Sequence, residues 1–127
     1  MVNVYNISTI SELAKWCLDQ SERISWVKHV NFLTEPAWQS AYILTQEQKK
    51  ILSDKLTSEI KFIESTYKAS EKRAIIVAWL LSTIQLLPSH DWSHLREEFS
   101  KYNQKLDELR GGMLADFADP LTLSFLS

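Results

Sequence analysis

The amino-acid sequence predicts an all-α fold: a single-domain bundle of about five or six helices around one apolar central helix, residues 71–87. Three observations predict it. Apolar residues recur at three- and four-residue steps along most of the chain, the spacing that builds one face of a helix. Glycine and proline, which punctuate strands and turns, number only 2 and 3 among 127 residues. Residues 74–87 read Ala-Ile-Ile-Val-Ala-Trp-Leu-Leu-Ser-Thr-Ile-Gln-Leu-Leu, and a helix apolar on all sides must be wrapped by others. One core suffices, because a chain of 127 residues buries about two-thirds of its unfolded surface in a single domain. The domain is therefore expected to cover residues 1–127.

Each element has its own signal. Ser8 or Ser11 is placed to cap a first helix whose stripe is Ile10, Leu13, Ala14, Cys17 and Leu18. Ser21 caps a second, with Ile24, Val27, Val30 and Leu33 on one side, Arg23 and Lys28 facing out, and an end before Pro36. Proline at the first helical position sacrifices no hydrogen bond, so Pro36 is expected to open a short helix carrying Ala37, Trp38, Ala41 and Tyr42. A bend follows near Leu44-Thr45. Thr45 and Gln48 have the spacing of a capping box, and Leu52, Leu56, Ile60, Ile63 and Tyr67 continue one long helix. Ser70 caps the apolar helix, whose charges are confined to Glu71, Lys72 and Arg73, and Pro88 stops it. Ser89 or Asp91 opens the next, with Trp92, Leu95, Phe99, Tyr102, Leu106 and Leu109 in alternating steps; Gly111-Gly112 supplies the left-handed residue that ends it. The tail, residues 113–127, alternates Leu121, Leu123 and Phe125 with polar or small residues. It is expected to pack on the bundle, pair as an edge strand or dock on a partner.

Composition narrows the function. A formal net charge of −2 separates the chain from domains that neutralise phosphates, so nucleic acid is not the expected partner. Cys17 is the only cysteine, which excludes an internal disulfide and leaves no thiolate set for zinc. The apolar run is too short to span a bilayer and contains Ser82, Thr83 and Gln85. The first residues lack the basic and apolar regions of a signal peptide, so a cytoplasmic protein without membrane association is expected.

No catalytic residue, metal or cofactor is assigned. His90 and His94, with Glu97 or Glu98 one turn on, have the spacing of two imidazoles on one metal ion. They lack the glutamate that follows the first histidine in metalloprotease helices, and they read as a helix start with Asp91 as cap. Cys17 lies on the apolar stripe, where cysteine acts as a small hydrophobe. Arg23 and His29 are spaced in a way similar to the arginine–histidine pair of the HEPN family of helical ribonucleases. That resemblance implies a dimer cleft with His29 as acid or base and Arg23 against a phosphorane oxygen. It rests on two residues, and Ile24 stands where the family carries a polar side chain.

Five tryptophans are many for this length, and Trp16 and Trp26 lie beside their apolar stripes rather than on them, as interface anchors do. The last helix and tail lean acidic, through Glu97, Glu98, Asp107 and Glu108. Small size, helicity and aromatic content favour a binding protein, and the profile resembles that of bacterial immunity proteins. The expected role is an inhibitor whose Glu97, Glu98, Asp107, Glu108, Trp16 and Trp26 meet a protein partner, a toxin with a basic active-site cleft. The alternatives are a HEPN-like ribonuclease and a regulatory or structural homo-oligomer without catalytic activity, a homodimer among the possibilities, held by the tail or by the face of residues 92–109.

Overall fold

The structure, a computed structural model, describes residues 2–3, 5–20, 32, 34–111 and 119–126. Among these residues five α-helices and no strand form, so the chain is all-α. They are α1 (Ile10–Asp19), α2 (Gln46–Thr66), α3 (Glu71–Leu86), α4 (Arg96–Arg110) and α5 (Pro120–Leu126). None of the described helices is long and apolar enough to cross a membrane.

α1 buries Ile10, Ala14, Cys17 and Leu18, as the spacing predicts, but Leu13 is 55% exposed. At about 100° per residue, Leu13 falls roughly 100° from the centre of the buried stripe, so its apolar character did not decide its side. Neither Ser8 nor Ser11 caps the helix. Thr9 occupies that position without a side-chain bond, and Ser8 sits in the preceding 3-10 turn, Ile7–Thr9, with its hydroxyl committed elsewhere. The helix expected from Ser21 falls on residues 21–31 and 33, outside the described residues.

Pro36 opens a 3-10 turn, Ala37–Gln39, rather than an α-helix, and a second turn follows at Ala41–Ile43. Pro36 and Ser40 both hold extended backbone, and the Ser40 hydroxyl caps the second turn by accepting the Tyr42 N–H. The reason lies in the next four residues. Ala41, Tyr42, Ile43 and Leu44 are all buried; consecutive positions of a surface α-helix cannot all face one core.

α2 starts where its sequence says. Gln48 N–H donates to Thr45 Oγ1 at 3.2 Å and Thr45 N–H donates to Gln48 Oε1 at 3.1 Å, a complete capping box. Leu52, Leu56, Ile60 and Ile63 form its buried stripe. α3 is capped by Ser70, whose hydroxyl accepts the Arg73 N–H at 3.1 Å; the Arg73 guanidinium donates to the carbonyls of Glu64 and Tyr67, joining α2's end to α3's start. α1 and α2 run in the same direction beside α3, with Glu12–Lys55, Lys15–Glu59 and Asp19–Tyr67 paired in rising order along their seam.

The apolar helix is not enclosed all round. Ile76, Trp79, Leu80 and Thr83 are buried, but Leu81 is 45% and Leu86 37% exposed. The elements packed against α3 are α1, α2 and the 3-10 turn at residues 87–89, and its buried side chains lie on one side of the helix. α3 also ends one residue early, because Leu87 turns into a 3-10 turn, Leu87–Ser89, around Pro88.

Neither Ser89 nor Asp91 caps α4: Trp92 precedes a 3-10 turn, Ser93–Leu95, without a side-chain cap, Asp91 Oδ1 accepts the Ser93 N–H and hydroxyl one residue earlier, and α4 begins only at Arg96. α4 ends at Gly111 with φ 65°, the left-handed conformation. An added Cβ there would meet nothing within 4 Å, so Gly111→Ala probes backbone conformation alone. Its expected cost is about 1 kcal/mol, read by thermal denaturation; no loss would mean that the helix end adjusts without strain.

Of the tail, residues 119–126 are described: 120–126 form a helix rather than an edge strand, and this helix packs on the bundle. Pro120 occupies the first helical position, Asp119 Oδ2 accepts the N–H groups of Leu121 and Thr122, and Phe125 joins the core.

Candidate functional site

α1 turns Glu12, Leu13, Trp16 and Asp19 away from the core. Trp16 is 53% exposed, so together with Leu13 one aromatic and one aliphatic side chain stand in water one helical turn apart. Glu12 and Asp19 border them, four residues before and three after Trp16. Both carboxylates are oriented: Glu12 accepts Ser11 Oγ at 3.2 Å and meets Lys55 Nζ at 3.5 Å, while Asp19 accepts the Tyr67 hydroxyl at 2.7 Å. That bond, then burial, then the Asp19 charge push the Tyr67 phenol above its ordinary pKa. On the α2 side Phe62 is also exposed, but Lys15 Nζ sits 4.8 Å above its ring and is itself held by Glu59 at 2.5 Å. Among the described residues no cation lies over the apolar pair on α1, and a carboxylate stands on either side of it, Glu12 before and Asp19 after. A partner that buries Trp16 gains the area of a large side chain, and a basic partner is attracted by the flanking carboxylates.

The expected acidic face on α4 is not assembled. Glu97 and Glu108 share one side of the helix, about 20° apart, but Glu98 lies about 100° round one way and Asp107 about 80° the other. Asp107 is half-buried, and Lys101 and Lys105 interrupt the outer side. Glu97 bonds Lys101 at 2.9 Å, which holds its carboxyl below the usual range and lifts the Lys101 ammonium. Trp26, the other expected anchor, and the Arg23–His29 pair lie outside the described residues.

A second cluster gathers around the chain between α3 and α4. The His90 ring lies 4.8 Å from that of Tyr42 and 5.3 Å from that of Trp92, and Trp92 meets Tyr42 edge-on at 5.1 Å. Beneath them Lys49 is buried. Its Nζ donates to the His90 carbonyl at 2.5 Å; burial lowers its pKa, and Asp91 opposes the shift. Ser89 Oγ lies 3.0 Å from His90 Nδ1, the contact of a nucleophile with its base. The Ser89 hydroxyl also reaches the Leu86 carbonyl at 2.6 Å and Tyr42 Oη at 3.4 Å, acceptors that compete with the imidazole for its single proton. The cluster clasps the connection to α2. Among the described residues no group of three or more His, Cys, Asp or Glu side chains gathers to hold a metal ion. Burial raises the Cys17 thiol, consistent with a packed hydrophobe.

Lys49 was legible and passed over: it lies three and seven residues before Leu52 and Leu56, on the stripe that α2 buries. Comparison with models of protein families, with curated proteins and with solved structures finds no match to this chain.

Proposed function

We propose that the chain is a protein-binding inhibitor that acts by occlusion, as an immunity protein blocks a toxin, and that it meets its partner with the outer face of α1. One observation carries this reading: Trp16 and Leu13, both more than half exposed, stand side by side on a rigid helix between Glu12 and Asp19. A half-exposed tryptophan on regular structure brings contact area at small entropic cost, and the carboxylates beside it favour a basic cleft. Binding is steric, with charge speeding encounter and making it salt-sensitive.

The test is protection. Cells producing a toxin encoded beside this chain's gene are expected to grow when the chain is co-expressed. Trp16→Ala is expected to weaken binding by about 2 kcal/mol, roughly 30-fold, with the melting temperature unchanged. Full protection by Trp16→Ala would remove α1 from the interface, and lack of protection by the unaltered chain would end the inhibitor reading.

A further inference from the structure

The charges around the outer face of α1 meet opposite charges, except at Asp19. Glu12 lies 3.5 Å from Lys55 Nζ and accepts the Ser11 hydroxyl. Lys15, four residues before Asp19 and so within reach of it along the helix, is instead held by Glu59 at 2.5 Å and lies over the Phe62 ring. Asp19 accepts the neutral Tyr67 hydroxyl at 2.7 Å, and among the described residues it forms no ion pair. That bond fixes Oδ1 of an exposed carboxylate, so the charge has both a set place and access to a partner.

Trp16 stands one turn before it. Three residues separate the two, about 4.5 Å along the axis and about 60° around it, the spacing of neighbouring side chains. A planar ring more than half in water thus neighbours an oriented carboxylate that lacks a cation. Lysine and arginine use such a pair differently. An ammonium is a strongly hydrated point charge, whereas a guanidinium is flat and weakly hydrated: its face stacks on an aromatic ring while its edge donates two parallel bonds to a carboxylate. Leu13, one turn before Trp16, extends the apolar surface for the aliphatic stem that carries the charge.

We infer that the outer face of α1 recognises one arginine of its partner, the guanidinium stacked on Trp16 and its edge bonded to Asp19; this rests on the reading of α1 as the binding face. Glu12, already paired, contributes less. Tyr67 is a positioning residue that holds the Asp19 carboxylate in place.

The probe is N-acetyl-L-argininamide, titrated to ~100 mM at constant ionic strength into the isotope-labelled chain and followed by NMR, beside its lysine and uncharged citrulline counterparts. The Trp16 indole N–H signal, identified by its loss in Trp16→Phe, is expected to shift progressively with arginine, less than half as far with lysine and scarcely with citrulline. Asp19→Asn keeps an oxygen for the Tyr67 hydroxyl and removes only the charge. It is expected to weaken the arginine response about fivefold, Glu12→Gln at most about 1.5-fold, and Tyr67→Phe about twofold with a reduced preference for arginine over lysine. An indole signal that stays still, equal responses to arginine and lysine, or equal losses in Glu12→Gln and Asp19→Asn would overturn the inference.

The protection assay separates the arginine from the face that receives it. Protection lost in Asp19→Asn as in Trp16→Ala supports a partner arginine. Protection lost in Trp16→Ala but kept in Asp19→Asn overturns the arginine and leaves α1 as the interface. Full protection by Trp16→Ala overturns the reading of α1 and the partner arginine with it, even where the probe binds.

Discussion

Leu80→Ala is expected to lower the unfolding free energy by about 3 kcal/mol, whereas Leu81→Ala, one residue on, changes it by about 0.5 kcal/mol or less. The two residues are chemically identical and share one helix, so the contrast isolates packing. Leu80 is fully buried where α3 meets its neighbours, and truncation there removes contacts that the surrounding side chains cannot restore. Leu81 already faces outward and leaves no cavity when shortened. For 127 residues the larger loss corresponds to a fall of about 10 °C in melting temperature, read by circular dichroism. Equal losses at both positions would mean that α3 is enclosed on every side, as its sequence alone suggests.

Asp119→Ala is expected to cost about 2 kcal/mol at pH 7, and the cost should fade in acid. Burial pushes the Asp119 pKa up, but the hydrogen bonds from the Thr122 and Ser8 hydroxyls and from the Thr122 and Leu121 amides outweigh it and hold the carboxyl below the usual aspartate range. A pKa lowered in the folded state means that the unfolded chain takes up the proton first. The carboxylate therefore contributes its stability in full above the unfolded pKa, and that contribution is lost as pH falls through the folded one. Urea unfolding of the unaltered chain and Asp119→Ala at pH 7 and near pH 3 should show two curves that converge in acid. A gap that stays constant with pH would assign the loss to packing rather than to the charged clasp.

The parts of this fold that the sequence announces are those written in local chemistry. Thr45 with Gln48, Ser70 before Arg73, Pro88 and Gly111 each act on backbone groups within four residues, and each does what its type implies. The misreadings share a different cause. Leu13 and the outer side of α3 are apolar without being buried, because burial depends on whether another element arrives, and periodicity cannot say that one will. The turns at residues 37–43 replace a helix because four neighbours go into the core together, a demand made by the assembled chain. Ser8 looks like a cap and instead bonds a helix more than a hundred residues later. For the site, the exposed tryptophan on α1 was legible from its place off the stripe, but the α4 carboxylates were read as a set when helical geometry scatters them.

The span of residues 74–89, which carries no ionisable side chain, bears on how the chain is made. Its β-branched and aromatic run, Ile75 to Leu81, is the kind of segment that joins its like when left uncovered in an unfolded chain. Synthesis proceeds from the N-terminus, so the helices that cover its inner side, α1 and α2, leave the ribosome before it does. The acidic and basic residues of α2 precede the run and those of α4 follow it, placing charged gatekeepers on both sides of the stretch most prone to aggregate. A circular permutant beginning at Ser70, which would deliver the run before its cover, would therefore be expected to lose yield during expression well before it lost stability once folded.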